Sequence, residues 1–377
     1  MRIIFFTIVA VCLATVMATG ELISLVHITR HGDRSPLRAY GNPGKSAQWN
    51  CSMDYNYYTT DGHEDYDRVY SKFWTPNEQV IKGNCYMGQL TKRGARQHYD
   101  LGRQLREKYR TFLPEKCVEP TCHVRATFIE RTQISARFNI LGMFPAGDEE
   151  DIVDIHVVDE KADYMYGNMN PTVCPAIVNY VDKFRNSDEY KTEIAKINQH
   201  KAWFRENFPG HNVGDWGLVY DWFHCRHSNN IADPVELPDG FLEKLKTFTI
   251  FNYYNFANHT LKLYIGNHAK EVVSLLRNIT NGNLERKYTF YSGHDVTIIP
   301  WMIMLEMPRN FPDYASHFEI ELFRNDDGYY IRVYYNDDVV QLKDSDDNGF
   351  IRFEKFENML KPYFPENWRD DCQSMVF

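Results

Sequence analysis

Residues 22–29 form a nearly continuous apolar run that closes in polar residues, the pattern of a strand buried on both faces of a parallel sheet. Residues 288–292 repeat that pattern, and a helix is expected to follow from near Val296. Between the two strands, Thr91 can cap a helix whose apolar face runs through Leu101, Leu105, Tyr109 and Phe112 and stops before Pro114. Residues 152–158 alternate in the manner of a strand, whereas 174–245 is helix-forming sequence broken at Pro209, Gly210, Gly214, Pro234 and Pro238. A longer helix is expected over 242–277 and a short one over 353–360. Alternation on both sides of Asp327-Gly328, in 317–323 and 329–335, is the strongest hairpin signal in the chain. Residues 40–84 are rich in Tyr, Asn, Asp, Gly and Lys without a period, which predicts a long surface excursion. The whole pattern predicts an α/β fold, with a mainly parallel sheet flanked by helices over 21–165 and 246–377 and a smaller, mainly helical cap over 166–245.

The first residues stand apart from that fold. Arg2, the apolar run 3–16 and the small residues Ala18, Thr19 and Gly20 have the layout of a secretory signal peptide over residues 1–20. No other stretch reaches the roughly 18 apolar residues of a membrane span, so the expectation is a secreted or lysosomal protein of the endomembrane lumen with no stable membrane anchor. Sequons at Asn50, Asn258 and Asn278 fit a glycoprotein on that route. Eight cysteines less Cys12 of the leader leave seven, which in an oxidising compartment predicts three bridges and one free thiol, with the pairing open. Cys117 and Cys122 are placed to close a local loop, and Cys51 and Cys85 to tie the base of the excursion. With 42 basic against 51 acidic residues the net charge is -9, so nothing draws the chain to nucleic acid, and an anionic substrate calls for a local cluster of cations.

Such a cluster stands at the end of the first strand. In Arg30-His31-Gly32-Asp33-Arg34-Ser35-Pro36 two guanidiniums flank an imidazole, and the glycine lets the backbone turn closely round a ligand. Far along the chain, Tyr291-Ser292-Gly293-His294-Asp295 repeats the layout of strand, glycine turn and helix start, where the helix dipole favours anions. Arg125, at a third strand-to-helix junction, offers one more guanidinium. Together these residues make a metal-free route to phosphate-ester cleavage. His31 is the nucleophile, Asp295 protonates the leaving alcohol, and Arg30, Arg34, Arg125 and His294 hold the phosphate oxygens. Surrounding positive charge keeps His31 neutral in acid and Asp295 must be protonated to donate, so an acidic optimum is expected.

The paired motif, Arg30 to Pro36 with the distant His294-Asp295, resembles that of the histidine acid phosphatases, the large-lid branch of the histidine phosphatase superfamily. The likeness covers essentially the whole mature chain. An Arg-His-Gly tripeptide is shared with phosphoglycerate mutases; the second arginine, the proline and the late His-Asp separate the two. The resemblance implies the roles assigned above, a small-molecule phosphate monoester as partner and no cofactor. It places Trp216 in the pocket wall contributed by the cap, and it implies a Cys174–Cys372 bridge. The family's partner for Cys225 is missing, because this chain has Tyr314-Ala315-Ser316-His317 there, so Cys225 is expected to be free. The segment between Cys51 and Cys85, followed by Met87-Gly88-Gln89-Leu90-Thr91, is similar to the insertion of phosphoxylose phosphatase-like members.

Several residues carry competing readings. Arg131 reads as a structural ion-pair residue, His98 as a polar residue on a helix face, and Trp216 alternatively as core filling. Residues 39–46 fit a permissive phosphate-loop pattern without the strand and helix that it requires. The calcium-loop-like stretch 344–351 has Lys355 where the bidentate glutamate belongs, and His224 to His227 lack a second pair of zinc ligands. The rival to an enzyme is a catalytically silent secreted protein that uses the same pocket to hold a small ligand.

Overall fold

The computed structural model describes residues 20–41, 48–52, 81–145, 152–167 and 172–374. The expected leader up to residue 19, most of the excursion and residues 42–46 of the phosphate-loop-like stretch lie outside the described residues.

Strand β1 (Glu21–Arg30) is followed by helices α1 (Lys92–Lys108) and α2 (Glu130–Met143), with β2 (Cys122–Ala126) between them and the two-residue β3 (Ile155–His156) after them. Six helices come next: α3 (Pro175–Arg185), α4 (Asp188–Asn198), α5 (Lys201–Asn207), α6 (Trp216–Ser228), α7 (Phe241–Tyr264) and α8 (Gly266–Thr280). The chain then returns through β4 (Tyr288–Gly293), α9 (Asp295–Met304), β5 (His317–Asn325), β6 (Gly328–Tyr335) and β7 (Asp338–Val339). It closes with β8 (Ile351–Arg352), α10 (Phe353–Leu360) and α11 (Trp368–Ser374).

The sheet runs in the order β3-β2-β4-β1-β5-β6-β7, with β8 beside β6. It is mixed: β3, β2, β4 and β1 are parallel, while β5 joins β1 antiparallel and extends into the expected hairpin. Alternation along β1 explains its apolar run. Leu25 packs with α1 and α2 through Leu101, Leu105 and Ile140, whereas Val26 and Ile28 face Val272, Trp301 and Phe356 on the opposite side. The cap helices enclose a separate aromatic core that includes Phe204, Phe208, Trp216 and Phe241.

Three expectations are revised. The strand over 152–158 contracts to two residues, since it is an edge partnered only by β2. The helix over 242–277 is two helices parted at Ile265, where Gly266 approaches Tyr363 so closely that a Cβ would stand 2.1 Å from its carbonyl oxygen. Helix α7 also runs unbroken through the boundary drawn at Leu245. In 344–351, Asp346 Oδ1 accepts from the Asn348 and Phe350 amides at 2.9 Å, which makes the stretch a turn.

Three disulfides join Cys51–Cys85, Cys117–Cys122 and Cys174–Cys372, and Cys225 is free and buried.

Candidate active site

Parallel register brings the chemistry to one end of the sheet. Arg30 is level with Gly293, and Ala126 with Ser292, so β1, β4 and β2 all finish at the same edge and release their loops together. The His31 amide donates to Gly293 O at 2.8 Å, carrying the pairing one residue past the strands. Helix α1 braces the loop from outside: Thr91 caps α1 by accepting from the Gly94 amide at 3.1 Å and donates to Asp33 Oδ1 at 2.8 Å. Gly32 and Gly94 touch. A Cβ on Gly32 would lie 2.2 Å from Gly94 O, and one on Gly94 would lie 2.1 Å from Asp33 O.

His31 is 1% exposed. Its Nδ1 lies 2.7 Å from Gly32 O, and only a protonated Nδ1 can bond a carbonyl, so Nε2 carries the lone pair. Burial, followed by the guanidinium charges led by Arg131, holds this imidazole well below its ordinary value. The His294 ring stands edge-on to it, with centroids 5.3 Å apart. Because Arg131 Nη2 can only donate to His294 Nδ1 at 3.3 Å, His294 is neutral with its proton on Nε2, which donates to Thr127 Oγ1 at 2.8 Å. Thr127 passes that chain to Thr132, whose hydroxyl ends on Ile129 O at 2.8 Å. Burial and the neighbouring guanidiniums keep His294 uncharged as well.

The remaining motif residues divide into two positions. Arg34 reaches the cavity while Asp221 of α6 grips it at 2.6 and 3.3 Å; burial would raise the Asp221 carboxyl, but Arg34 outweighs it and holds the group below its ordinary range. Asp295 opens α9 and also faces the cavity. Arg30 lies behind it, donating to Asp295 Oδ2 at 3.0 Å and to Pro312 O at 2.5 Å, with Tyr314 packed 4.2 Å from its guanidinium. Cys225 Sγ lies 3.1 Å from the Tyr314 hydroxyl, so a tyrosine stands where a partner cysteine is missing.

Arg125 and Arg131 exchange the parts expected of them. Arg125 turns away from the cavity to Glu271 at 2.7 Å, the Tyr164 hydroxyl at 2.8 Å and Asp163 at 3.6 Å, a structural pairing that uses its charge. Arg131, in the first turn of α2, lines the cavity, and among the described residues no carboxylate lies within ion-pair distance of it. Burial and the Arg34 charge lower it to about 10. A signal was available: a cation at a helix N-terminus works against the dipole unless an anion answers it.

Trp216 is also corrected. It is 2% exposed, its indole donates to Asn198 at 2.9 Å, and it packs on Phe204 and Phe241, so it fills the cap core while its neighbours Asp215 and Gly217 line the cavity. His98 is buried rather than on a polar face, with Nε2 3.0 Å from Arg30 O beneath the catalytic strand.

These groups surround a cavity of about 570 Å³. Its floor holds His31, Arg34, Arg131, His294 and Asp295; its wall includes Tyr166, Tyr220, His224, Tyr253, Phe256 and Phe311, which the sequence reading did not single out for this role. Tyr166 lies 4.9 Å from the His294 ring. The arrangement sets a neutral imidazole, a guanidinium with no carboxylate partner among the described residues, and the Asp295 carboxyl around one cavity.

Known proteins are similar to this chain over most of its length. The profile described as histidine phosphatase superfamily (branch 2) matches residues 21–336. Counting factor 60 of Dictyostelium discoideum is 28% identical, over 94% of this chain and 89% of its own. Prostatic acid phosphatase of Bos taurus is 25% identical over 93% and 88%, and lysosomal acid phosphatase of Xenopus laevis 25% over 95% and 80%. The solved phytase of Citrobacter braakii has the same fold, with a TM-score of 0.61 at 12% identity, covering 93% of this chain and 99% of that one.

Proposed function

The chain belongs to branch 2 of the histidine phosphatase superfamily and is an acid phosphatase, and from that premise we propose that it is exported and cleaves small phosphate monoesters through a phosphohistidine on His31, without a metal. His31 Nε2 attacks phosphorus, the ester P–O bond breaks, and the departing oxygen takes the proton of Asp295. The Asp295 carboxylate then removes a proton from water, whose oxygen attacks the phosphohistidine. Orthophosphate leaves, His31 is free again, and Asp295 is reprotonated. Arg34 and Arg131 hold the equatorial oxygens throughout, joined by Arg30 once the protonated Asp295 no longer neutralises it.

The single observation that carries this reading is Arg131, a cavity cation without a carboxylate, set beside a His31 ring kept neutral. Export is supported by the leader-like first residues, by three disulfides and by the exposure of Asn50, Asn258 and Asn278.

Hydrolysis of an aryl phosphate by the mature protein, measured with chelator between pH 4 and 8 beside His31→Ala and Asp295→Ala, tests the mechanism. Turnover is expected to peak in acid, to vanish in the first variant and to fall sharply in the second. Labelled phosphate should stay on the wild-type protein after an alkaline quench. Its absence under turnover, or its retention by His31→Ala, would remove the covalent step.

A further inference from the structure

Two imidazoles and a carboxylate converge at the outer edge of the sheet, and none of the three lines the catalytic cavity. Glu119 Oε1 accepts from His123 Nδ1 at 2.6 Å and lies 3.7 Å from His156 Nε2. One ligating atom from each residue lies within 4.8 Å of the other two, and the imidazole rings stack with centroids 4.4 Å apart. We propose that Glu119, His123 and His156 bind one divalent ion of the zinc class, with solvent completing the coordination.

Donor chemistry selects the ion. Two imidazoles and one carboxylate suit zinc and its transition-metal neighbours, whereas calcium and magnesium require oxygen sets. Distances allow it: zinc ligands at about 2.0–2.1 Å in a tetrahedron stand roughly 3.3 Å from one another, a separation that the observed 2.6 and 3.7 Å bracket, so side-chain rotation suffices. The frame is already built. His123 lies on β2 and His156 on β3, fixed by the pairing of Val124 with Ile155 and Arg125 with His156. Glu119 sits in the loop closed by Cys117–Cys122, and Arg286 holds its Oε2 at 2.6 Å, leaving Oε1 turned to the rings. The side chains are 42%, 23% and 48% exposed for Glu119, His123 and His156, which gives an ion an open path.

Both imidazoles turn a nitrogen to the same Glu119 oxygen, His123 within hydrogen-bond reach and His156 at ion-pair distance beyond it, so one carboxylate oxygen already gathers two metal-ligating rings. Ligation through His123 Nδ1 requires the ring proton on Nε2, so binding exchanges one neutral tautomer for the other through solvent. The nearby Arg286 charge opposes the ion and weakens its binding. The ion would join the 117–122 loop, β2 and β3, clamping the outer end of a segment whose inner end carries Tyr166 to the cavity.

The test is calorimetric titration of the chelator-stripped full-length mature protein with zinc chloride in phosphate-free buffer near neutral pH, beside His156→Ala and Glu119→Gln. Wild type is expected to take up one equivalent and to melt higher with zinc. Each variant should bind at least about tenfold more weakly and lose the shift in melting temperature. Since His156 is half exposed and Glu119→Gln preserves shape, both variants should melt like wild type without zinc. The proposal is overturned if wild type binds no zinc, or if both variants bind it as tightly, as they would were the ion held by His31 and His294 instead.

Discussion

The floor of the catalytic cavity and its wall are put together by different means. His31, His294 and Asp295 stand within two residues of a parallel strand end, and hydrogen-bonded register fixes where they point. Tyr220, Tyr253 and Phe256 project from α6 and α7, positioned by aromatic side chains packed between helices, with no ladder to set them. The floor is cationic and offers proton transfer; the wall is largely aromatic, with acids such as Asp215 and Asp221. Register tolerates little substitution and packing tolerates much, so one part of the molecule can keep a reaction constant while the other changes what reaches it.

The largest effect should come from the floor. His31→Ala is expected to lower turnover on the order of 10⁴-fold or more, read in single-turnover assays, because the proposed mechanism begins with attack by His31. Next comes the pair of arginines. Arg131→Ala should reduce kcat/KM by roughly 10²–10³-fold, the loss of one donor to developing charge. Arg125→Ala should leave kcat/KM nearly unchanged and lower the melting temperature, since Asp163 and Glu271 lose their cation. The reverse pattern would undo the exchange of roles described above.

A smaller effect is read against pH. An ordinary histidine is only about one-tenth neutral at pH 5.5. With the His31 value pushed well down, the neutral form persists as pH falls, so kcat/KM should escape the roughly fivefold loss that an ordinary histidine would suffer between pH 6.5 and 5.5. The wall gives the smallest change. Tyr253→Ala should raise KM for an aryl phosphate about fivefold at constant kcat, whereas Trp216→Ala should cost about 3–5 kcal/mol of stability by denaturant unfolding and leave KM alone. A KM effect at Trp216 would return it to the wall.

What could be read in advance follows the same division. The run before Arg30, the Asp327-Gly328 hairpin and Thr91 as a cap were visible because each is written in adjacent residues. Choosing Arg125 over Arg131 failed because strand ends were given weight and the helix dipole was not; Glu271 and Asp163, which claim Arg125, are remote from it in sequence. Trp216 was misplaced by one residue of helix phase, since Asp215 and Gly217 on either side do line the cavity. The hairpin itself does not reveal that it joins β1, which adds an antiparallel flank to the parallel strands.

The Cys51–Cys85 bridge and the abutting Gly32 and Gly94 anchor the chain on either side of the catalytic loop. The bridge gives the stretch between the two cysteines a fixed base beside that loop. A change of length inside the bridge starts from that base, while any side chain added at Gly32 or Gly94 collides with the backbone of the segment that carries His31 or of the helix that braces it.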